Sequence, residues 1–390
     1  TGAIALHAIL GLFTALYCLL FRWLAKDTRS TAWQAMLAAV LWTAIEFFRS
    51  ELFALRFPWI TPGTALGPTY LSPVLGVYGA SFLMVAAAFA LTRRRTLALG
   101  ICLSLVVLFL GMVRPGPVPT PTTDSLGVTV VQSEECFLSY YIALTQTADK
   151  DKTDLVVWPE YALPYDVRQH PGDMTDLFDL CASMDCVLVL GTKTVTGPGD
   201  REWRNTALVL DKNGVIGEYY KNRPVHFFND GIAGQNLAPI RTPVGVLATP
   251  ICFDCDYSEV ARKMVGLGAE VLAVASFDAT SWGATQHLQH SMFFRLRAAE
   301  TGRWVACAAS SGVSQIIDPH GNAHQTLAPM KNGVISARIS LRTSTTFFSR
   351  VGWLFPWLTM VAAVALLATR AGRVFQKCRS VTLKRTAFIG

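Results

Sequence analysis

The run Val244-Gly245-Val246-Leu247-Ala248-Thr249-Pro250-Ile251 is apolar and strand-like. It ends on Cys252 and gives way to a polar segment carrying Asp254, Asp256, Ser258 and Glu259. A cysteine at such a strand-to-helix elbow is lifted to the rim of a sheet, beside helix N-terminal amides that favour a thiolate. A small buried hydrophobe is the commoner role for cysteine in an apolar strand, so the chemistry needs partners. Two are present far away in the chain. Glu160 follows the strand Leu155-Val156-Val157-Trp158-Pro159, and Lys221 follows Ile216-Gly217-Glu218-Tyr219-Tyr220. Singly, each reads as a surface charge. Strand ends are where layered α/β domains assemble their sites. A thiol, a carboxylate to take its proton and an ammonium to hold an oxyanion are the parts of acyl transfer through a thioester.

The elements that would present these groups alternate as in a layered α/β domain. Strands are expected at Leu126–Gln132, Asp154–Trp158, Cys186–Thr192, Thr206–Leu210 and Val215–Tyr220, and again at Glu270–Ser276, Trp304–Ala309, Gln315–Ile317 and Gly333–Ile339. Helices are expected at Leu138–Asp149, Thr175–Met184, Tyr257–Leu267 and Gln286–Thr301. Asp211-Lys212-Asn213-Gly214 is a hairpin turn between two of the strands. Residues 125–345 thus form one domain, with enough chain for its own core. The Pro-rich stretch 114–124 before it is a stiff linker.

The rest of the chain belongs to a bilayer. Of 390 residues, 52% are apolar and only 16% charged. Residues 1–113 hold about four spanning segments: Ile4 to Phe21, Trp33 to Phe53, Leu71 to Leu91 and Leu97 to Val113. A further one falls within 350–369, and residues 370–390 are a basic tail. Arg22, Lys26 and Arg29 follow the first segment, Arg93-Arg94-Arg95 the third, and Arg370 through Arg385 the last. These clusters fall on one side of an alternating topology. That side is the cytoplasm, which puts residues 125–345 outside it. Topology therefore accounts for the net charge of +7, and nucleic acid is excluded as a partner. The chain begins with Thr1 and its first helix would start outside, so further helices are expected upstream. Glu46 and Arg49 share one face of the second segment, where intramembrane charges face a partner or a cavity. The loop with Phe57-Pro58-Trp59 suits the lipid–water interface. Nine cysteines show no paired framework, and Cys252-x-x-Cys255 lacks the second pair a zinc site needs. His287, His290, His320 and His324 have no carboxylate cluster on a common face and read as structural or surface histidines, with no metal.

At this point the chain resembles the nitrilase (carbon–nitrogen hydrolase) superfamily, through Trp158-Pro159-Glu160, Tyr220-Lys221 and Pro250-Ile251-Cys252. Within it, the chain is similar to a divergent member of the bacterial apolipoprotein N-acyltransferases. Trp42-Thr43-Ala44-Ile45-Glu46-Phe47-Phe48-Arg49, Phe57-Pro58-Trp59 and Gly76-Val77-Tyr78-Gly79 carry that likeness, with His287-Leu288-Gln289, Arg297 to Trp304 and Ser311-Gly312-Val313-Ser314. The resemblance implies a nitrilase-like α-β-β-α sandwich inserted in a multi-pass helical membrane domain of the bacterial inner membrane, with the catalytic domain on the periplasmic side. It implies Glu160 as base, Lys221 as oxyanion holder and Cys252 as nucleophile, with no cofactor. The acyl donor would be a phospholipid and the acceptor the N-terminal amine of a diacylglyceryl-lipoprotein. Glu46 and Trp59 are expected to support the site or bind substrate. The family's Tyr-Glu after the nucleophile is here Phe253-Asp254, and its second glutamate is replaced near Asn229-Asp230. Asp230 or Asp254 is the expected second acid, and Trp282 the expected lid aromatic. A membrane-bound amidase and an inactive lipoprotein-binding relative are the alternatives.

Overall fold

Apolar runs of spanning length form helices, and the alternating runs beyond them form two sheets. The computed structural model describes residues 2–26, 28, 30–121, 125–197 and 202–386. Arg29, linker residues 122–124, residues 387–390 of the tail, and the side chains of Lys384 and Arg385 lie outside the described residues. The chain divides into one unit of Thr1–Leu66, Val77–Met112 and Val351–Gly390, and another of Gly67–Gly76 and Val113–Arg350.

The first unit is helical. It contains α1 (Gly2–Ala25), α2 (Thr31–Phe47), α3 (Pro62–Leu66), most of α4 (Ser72–Leu91), α5 (Leu97–Met112) and the C-terminal helix Phe355–Thr386. Among the described residues, five stretches are long and apolar enough to cross a membrane: Ile4–Ala25, Thr31–Leu52, Ser72–Leu91, Arg94–Met112 and Gly352–Lys377. Ile4, Leu12, Leu19, Leu105 and Val361 stand exposed on them, as hydrocarbon surroundings require. The last helix does not stop at residue 369 but continues through the basic residues. Glu46 and Arg49 find separate partners. Glu46 accepts from Trp42 Nε1 at 2.6 Å and Ser81 Oγ at 2.7 Å, while Arg49 donates to the carbonyls of Phe57 at 2.9 Å and Trp59 at 3.3 Å. Both also line a cavity of about 190 Å³ with Phe13, Tyr17, Trp42 and Ile60.

The second unit holds two six-stranded sheets. Its strands are β1 (Leu126–Gln132), β2 (Leu155–Val157), β3 (Val187–Val195), β4 (Trp203–Asp211), β5 (Gly214–Tyr220), β6 (Ile240–Thr242), β7 (Gly245–Ala248), β8 (Val271–Ser276), β9 (Val305–Ala309), β10 (Ser314–Ile317), β11 (Ala323–Leu327) and β12 (Gly333–Ile339). One sheet runs β12-β1-β2-β3-β4-β5 and the other β11-β10-β9-β8-β7-β6. The central strands β1, β2 and β3 are parallel, as are β7, β8 and β9. Such strands are covered on both faces and read as unbroken apolar runs. Val128, Val130, Val157 and Val189 of the first sheet share a core with Leu272, Val274, Val305 and Ile316 of the second. The outer face of the first sheet is closed by helices α6 (Leu138–Thr145) and α7 (Pro171–Met184), whose Tyr141, Leu177 and Leu180 pack on Val156 and Leu188. Helices α8 (Ser258–Gly266) and α9 (Ala284–Thr301) add Val260, Met264, Phe294 and Ala298 beside the second sheet. This is the α-β-β-α sandwich. The linker is docked on the turn before β11: Asp318 accepts from Val118 N at 2.7 Å, and Asn322 donates to Pro115 O at 3.0 Å.

Candidate active site

Glu160 and Lys221 meet, and the Cys252 turn joins them through Phe277, whose N–H is held by Glu160 and whose carbonyl lies beside Cys252 Sγ. The turn after β2 brings Glu160 into the interior, and it needs Gly191 of β3 alongside. A Cβ on Gly191 would stand 2.3 Å from Pro159 O and 2.5 Å from the Glu160 Cα. Lys221 leaves β5 with its N–H on Asn205 O at 2.9 Å and its carbonyl accepting from Gly234 N at 2.8 Å. Cys252 follows Ile251, which bridges to Ala275, and opens a tight turn over Cys252–Asp256. This corrects the expected elbow, because a five-residue turn separates the strand from α8. Cys252 takes φ +47°, a left-handed conformation that costs a non-glycine residue about 1–3 kcal/mol. Its Sγ lies 3.6 Å from Phe277 O.

Glu160, Lys221 and Cys252 are 2%, 1% and 4% exposed, so their charges interact at low dielectric. Lys221 Nζ is 2.8 Å from Glu160 Oε1 and 2.8 Å from Asp230 Oδ2. Asn205 Nδ2 is 2.6 Å from Glu160 Oε1 and 2.8 Å from Asp230 Oδ1, and Tyr161 Oη donates to Asp230 at 2.6 Å. The other oxygen of Glu160 accepts from Phe277 N at 2.8 Å.

Two carboxylates share one ammonium, and their environments separate them. Burial and then neighbouring Asp230 raise the Glu160 pKa, against the pull of Lys221. Asp230 is also pushed up by burial, but Lys221, Tyr161 and the Val225 amide hold it below the ordinary carboxylate range. Burial works against the Lys221 ammonium, and Glu160, Cys252 and Asp230 together keep its pKa well above the usual lysine value. Asp230 is therefore the fixed counter-charge, and Glu160 the carboxylate that can change protonation. Burial and Glu160 push the Cys252 thiol up to about 11, against Lys221 and His290. The thiol thus needs a base at hand.

The remaining expected residues are placed as follows. Asp254 does not reach the lysine. It accepts from the backbone N–H of Ile251, Asn222 and Arg223 at 3.0, 3.1 and 2.7 Å, and from Tyr219 Oη at 2.8 Å. It clamps the Lys221 and Cys252 segments together. Phe253 packs edge-on against Tyr257, with ring centroids 5.2 Å apart. Trp282 stands 6.4 Å from the rings of both His287 and His290, in a loop whose first residue is held by Glu160. Glu46 and Trp59 belong to the helical unit. Sequence reading missed Asn205, Tyr161 and the buried trio His290, Asp256 and Asp278. The signal for Asn205 was an amide just ahead of the apolar run Ala207-Leu208-Val209-Leu210. For His290, the structural-or-surface reading narrows to a structural one: the ring is 1% exposed and lies between two carboxylates.

A family model for carbon–nitrogen hydrolases matches residues 128–347, and one for the apolipoprotein N-acyltransferase N-terminal domain matches residues 1–90. The chain belongs to the carbon–nitrogen hydrolase family. Within that family it is similar to the apolipoprotein N-acyltransferase of Shewanella oneidensis, 27% identical over 423 residues that cover 94% of this chain and 80% of the relative. The enzyme of the same name from Pseudomonas putida is 28% identical over 419 residues, covering 95% and 81%. Among solved structures, a carbon–nitrogen hydrolase from Helicobacter pylori is 21% identical with a TM-score of 0.49, covering 60% of this chain and 94% of that one.

Proposed function

We propose that this protein is an N-acyltransferase that moves a fatty acyl chain from a membrane phospholipid to the N-terminal amine of a diacylglyceryl-cysteine lipoprotein. The observation that carries the reading is the buried Lys221 ammonium between Glu160 and Asp230, in the same core as the Cys252 thiol. The names of its relatives, which cover most of the chain, support the substrate class. Residues 125–345 are read as the catalytic domain on the periplasmic side of the inner membrane. The basic residues after the apolar segments support that orientation.

Glu160 takes the Cys252 proton, and the thiolate attacks the ester carbonyl of the phospholipid. Lys221 stabilises the tetrahedral oxyanion. Collapse breaks the ester C–O bond, and Glu160 returns the proton to the departing alkoxide, so a lysophospholipid leaves and a thioester remains. The lipoprotein amine then attacks the thioester and gives up a proton to Glu160. Cys252 leaves as thiolate and is reprotonated, which completes a ping-pong cycle. Asp230 in contact with Lys221 supports an active enzyme over an inactive binder. The test is a radiolabelled phospholipid followed by a lipopeptide. Label should reside on Cys252 and then move to the peptide amine. Label released only as free fatty acid would favour hydrolysis, and no label on Cys252 would overturn the reading.

A further inference from the structure

A second cation stands beside the site, and the scheme above does not use it. Lys193 lies on β3, two residues beyond Gly191 and on the same face of the strand, the face against which Glu160 packs. The β3–β4 register sets it directly opposite Asn205, the amide that holds Glu160 and Asp230. Its ammonium rests on aromatic faces, 4.6 Å from the ring centroid of Trp203 and 5.8 Å from that of Tyr161. The same Tyr161 donates its hydroxyl to Asp230 and meets the Phe277 ring edge-on at 6.1 Å. Lys193 is half-buried, and among the described residues no carboxylate stands within ion-pair distance of it.

Position and charge together give this residue a task. An aromatic face attracts an ammonium but leaves its charge uncancelled, so Lys193 keeps a positive charge for a further partner. With both acids ionised, Glu160, Asp230 and Lys221 sum to one negative charge, held at low dielectric. Such a site repels an incoming anion unless a cation stands at its rim. Lys193 is that cation. Of the two substrates proposed above, the donor carries an anion close to the reacting bond, since its phosphodiester lies a few bonds from the ester. The acceptor brings an amine to the reaction, which Lys193 does not attract.

We propose that Lys193 is a substrate-binding residue for the acyl donor, holding the phosphodiester of the phospholipid while its ester reaches Cys252. The ammonium donates to the phosphate oxygens in a charge-assisted contact. Trp203 and Tyr161 fix it against β3 beforehand, which lowers the cost of ordering a long side chain on binding. The phosphate takes no part in the bond changes. The contact is therefore equally strong before and at the transition state, and it acts on the donor concentration required rather than on the maximal rate. The choice of donor rests on the function proposed above, but phosphate binding at Lys193 is tested apart from turnover.

The first measurement is acetylation of Lys193 by an N-hydroxysuccinimide ester, read by mass of its peptide. It uses full-length Cys252→Ala protein in maltoside micelles, with Lys212 of the exposed hairpin as the reference amine. Dihexanoyl phosphatidylglycerol should protect Lys193 and not Lys212, and dihexanoylglycerol, the same esters without phosphate, should protect neither. The second is single-turnover acylation of otherwise wild-type protein. Lys193→Met keeps an apolar stem on Trp203 and Tyr161, and should raise the phospholipid concentration for half-maximal acylation about tenfold, the loss of one charge-assisted contact. Lys193→Arg should stay near the wild type, and transfer from a preformed thioester to a lipopeptide should be unaffected in both variants. Equal protection by dihexanoylglycerol overturns the proposal. Equal protection by inorganic phosphate at matched ionic strength makes this a site for the free ion and overturns the donor role. A folded Lys193→Met protein whose donor dependence superimposes on the wild type does the same while leaving the transferase reading intact. Should that variant fail to fold, the protection experiment decides alone. Protection by the phospholipid alongside a wild type that forms no thioester would sink the transferase reading and leave the phosphate site standing.

Discussion

Asp230 Oδ2 and Lys221 Nζ lie 2.8 Å apart, both buried, although Asp230 is a shorter acid one residue beyond the position of the resembled family's glutamate. The shorter side chain reaches because its loop is drawn in, with Val225 N donating to the same carboxylate oxygen at 2.8 Å. Asp230→Asn keeps the shape and deletes the charge. Single-turnover thioester formation should fall at least tenfold, about 1.4 kcal/mol of transition-state stabilisation. An unchanged rate would show that the lysine needs no second acid.

Asp254 should behave differently. Its partners are three backbone amides and a tyrosine, so Asp254→Ala strands buried donors at about 1–3 kcal/mol for each one left unpaired. The thermal midpoint should fall by several degrees. A loss of rate with no loss of stability would contradict the clamp assignment.

In the proposed scheme the acid limb of the acylation rate belongs to Glu160. The base must be ionised, so the rate should fall as pH drops through its pKa, and that pKa is raised by burial and by Asp230. Removing the Asp230 charge takes away one raising influence. The limb in Asp230→Asn should therefore move to lower pH, even as the plateau falls. A limb that moves upward or stays in place would assign it to another group.

Cys252→Ala should abolish thioester formation, while Cys255→Ala, altered below the surface, should retain it. Because Cys252 sits at φ +47°, Cys252→Gly should also melt no lower than Cys252→Ala, against the usual ranking of these two residues. A glycine variant several degrees less stable would mean that the left-handed conformation carries no strain.

Residue Asn213 caps an exposed hairpin between β4 and β5. A cysteine placed there in a background lacking exposed thiols should react with a membrane-impermeant maleimide from the outside of spheroplasts. Labelling only after lysis would reverse the orientation.

Much of this was legible in the chain. Strands β1, β5 and β12 fall where apolar alternation puts them, because each is bounded by turn residues. Strands β6 and β11 were not expected, since Ile240-Arg241-Thr242 and Ala323-His324-Gln325-Thr326-Leu327 are short, polar and at sheet edges. Glu160, Lys221 and Cys252 could be picked out because each ends an apolar strand. The burial of His290 between Asp256 and Asp278 could not, because both aspartates lie on other elements and share no spacing with it. Local pattern finds groups that a strand presents, and misses those that only packing brings together.

The base, the ammonium and Asn205 come from the first sheet, while the thiol and the Phe277 segment come from the second. Cys252 and the Glu160–Lys221 pair therefore stand on separate plates, and the gap between the plates is set by the valine and alanine side chains they share. A methylene lost from Val130 or Val274 costs about 0.5–1.5 kcal/mol of folding energy, which a domain of this size tolerates. Across the site the same slip changes the distance between a proton and the base that must take it, where an ångström costs about a hundredfold in rate. The filling of the sandwich is thus the gauge block of the enzyme, and turnover is a finer measure of its thickness than the melting temperature.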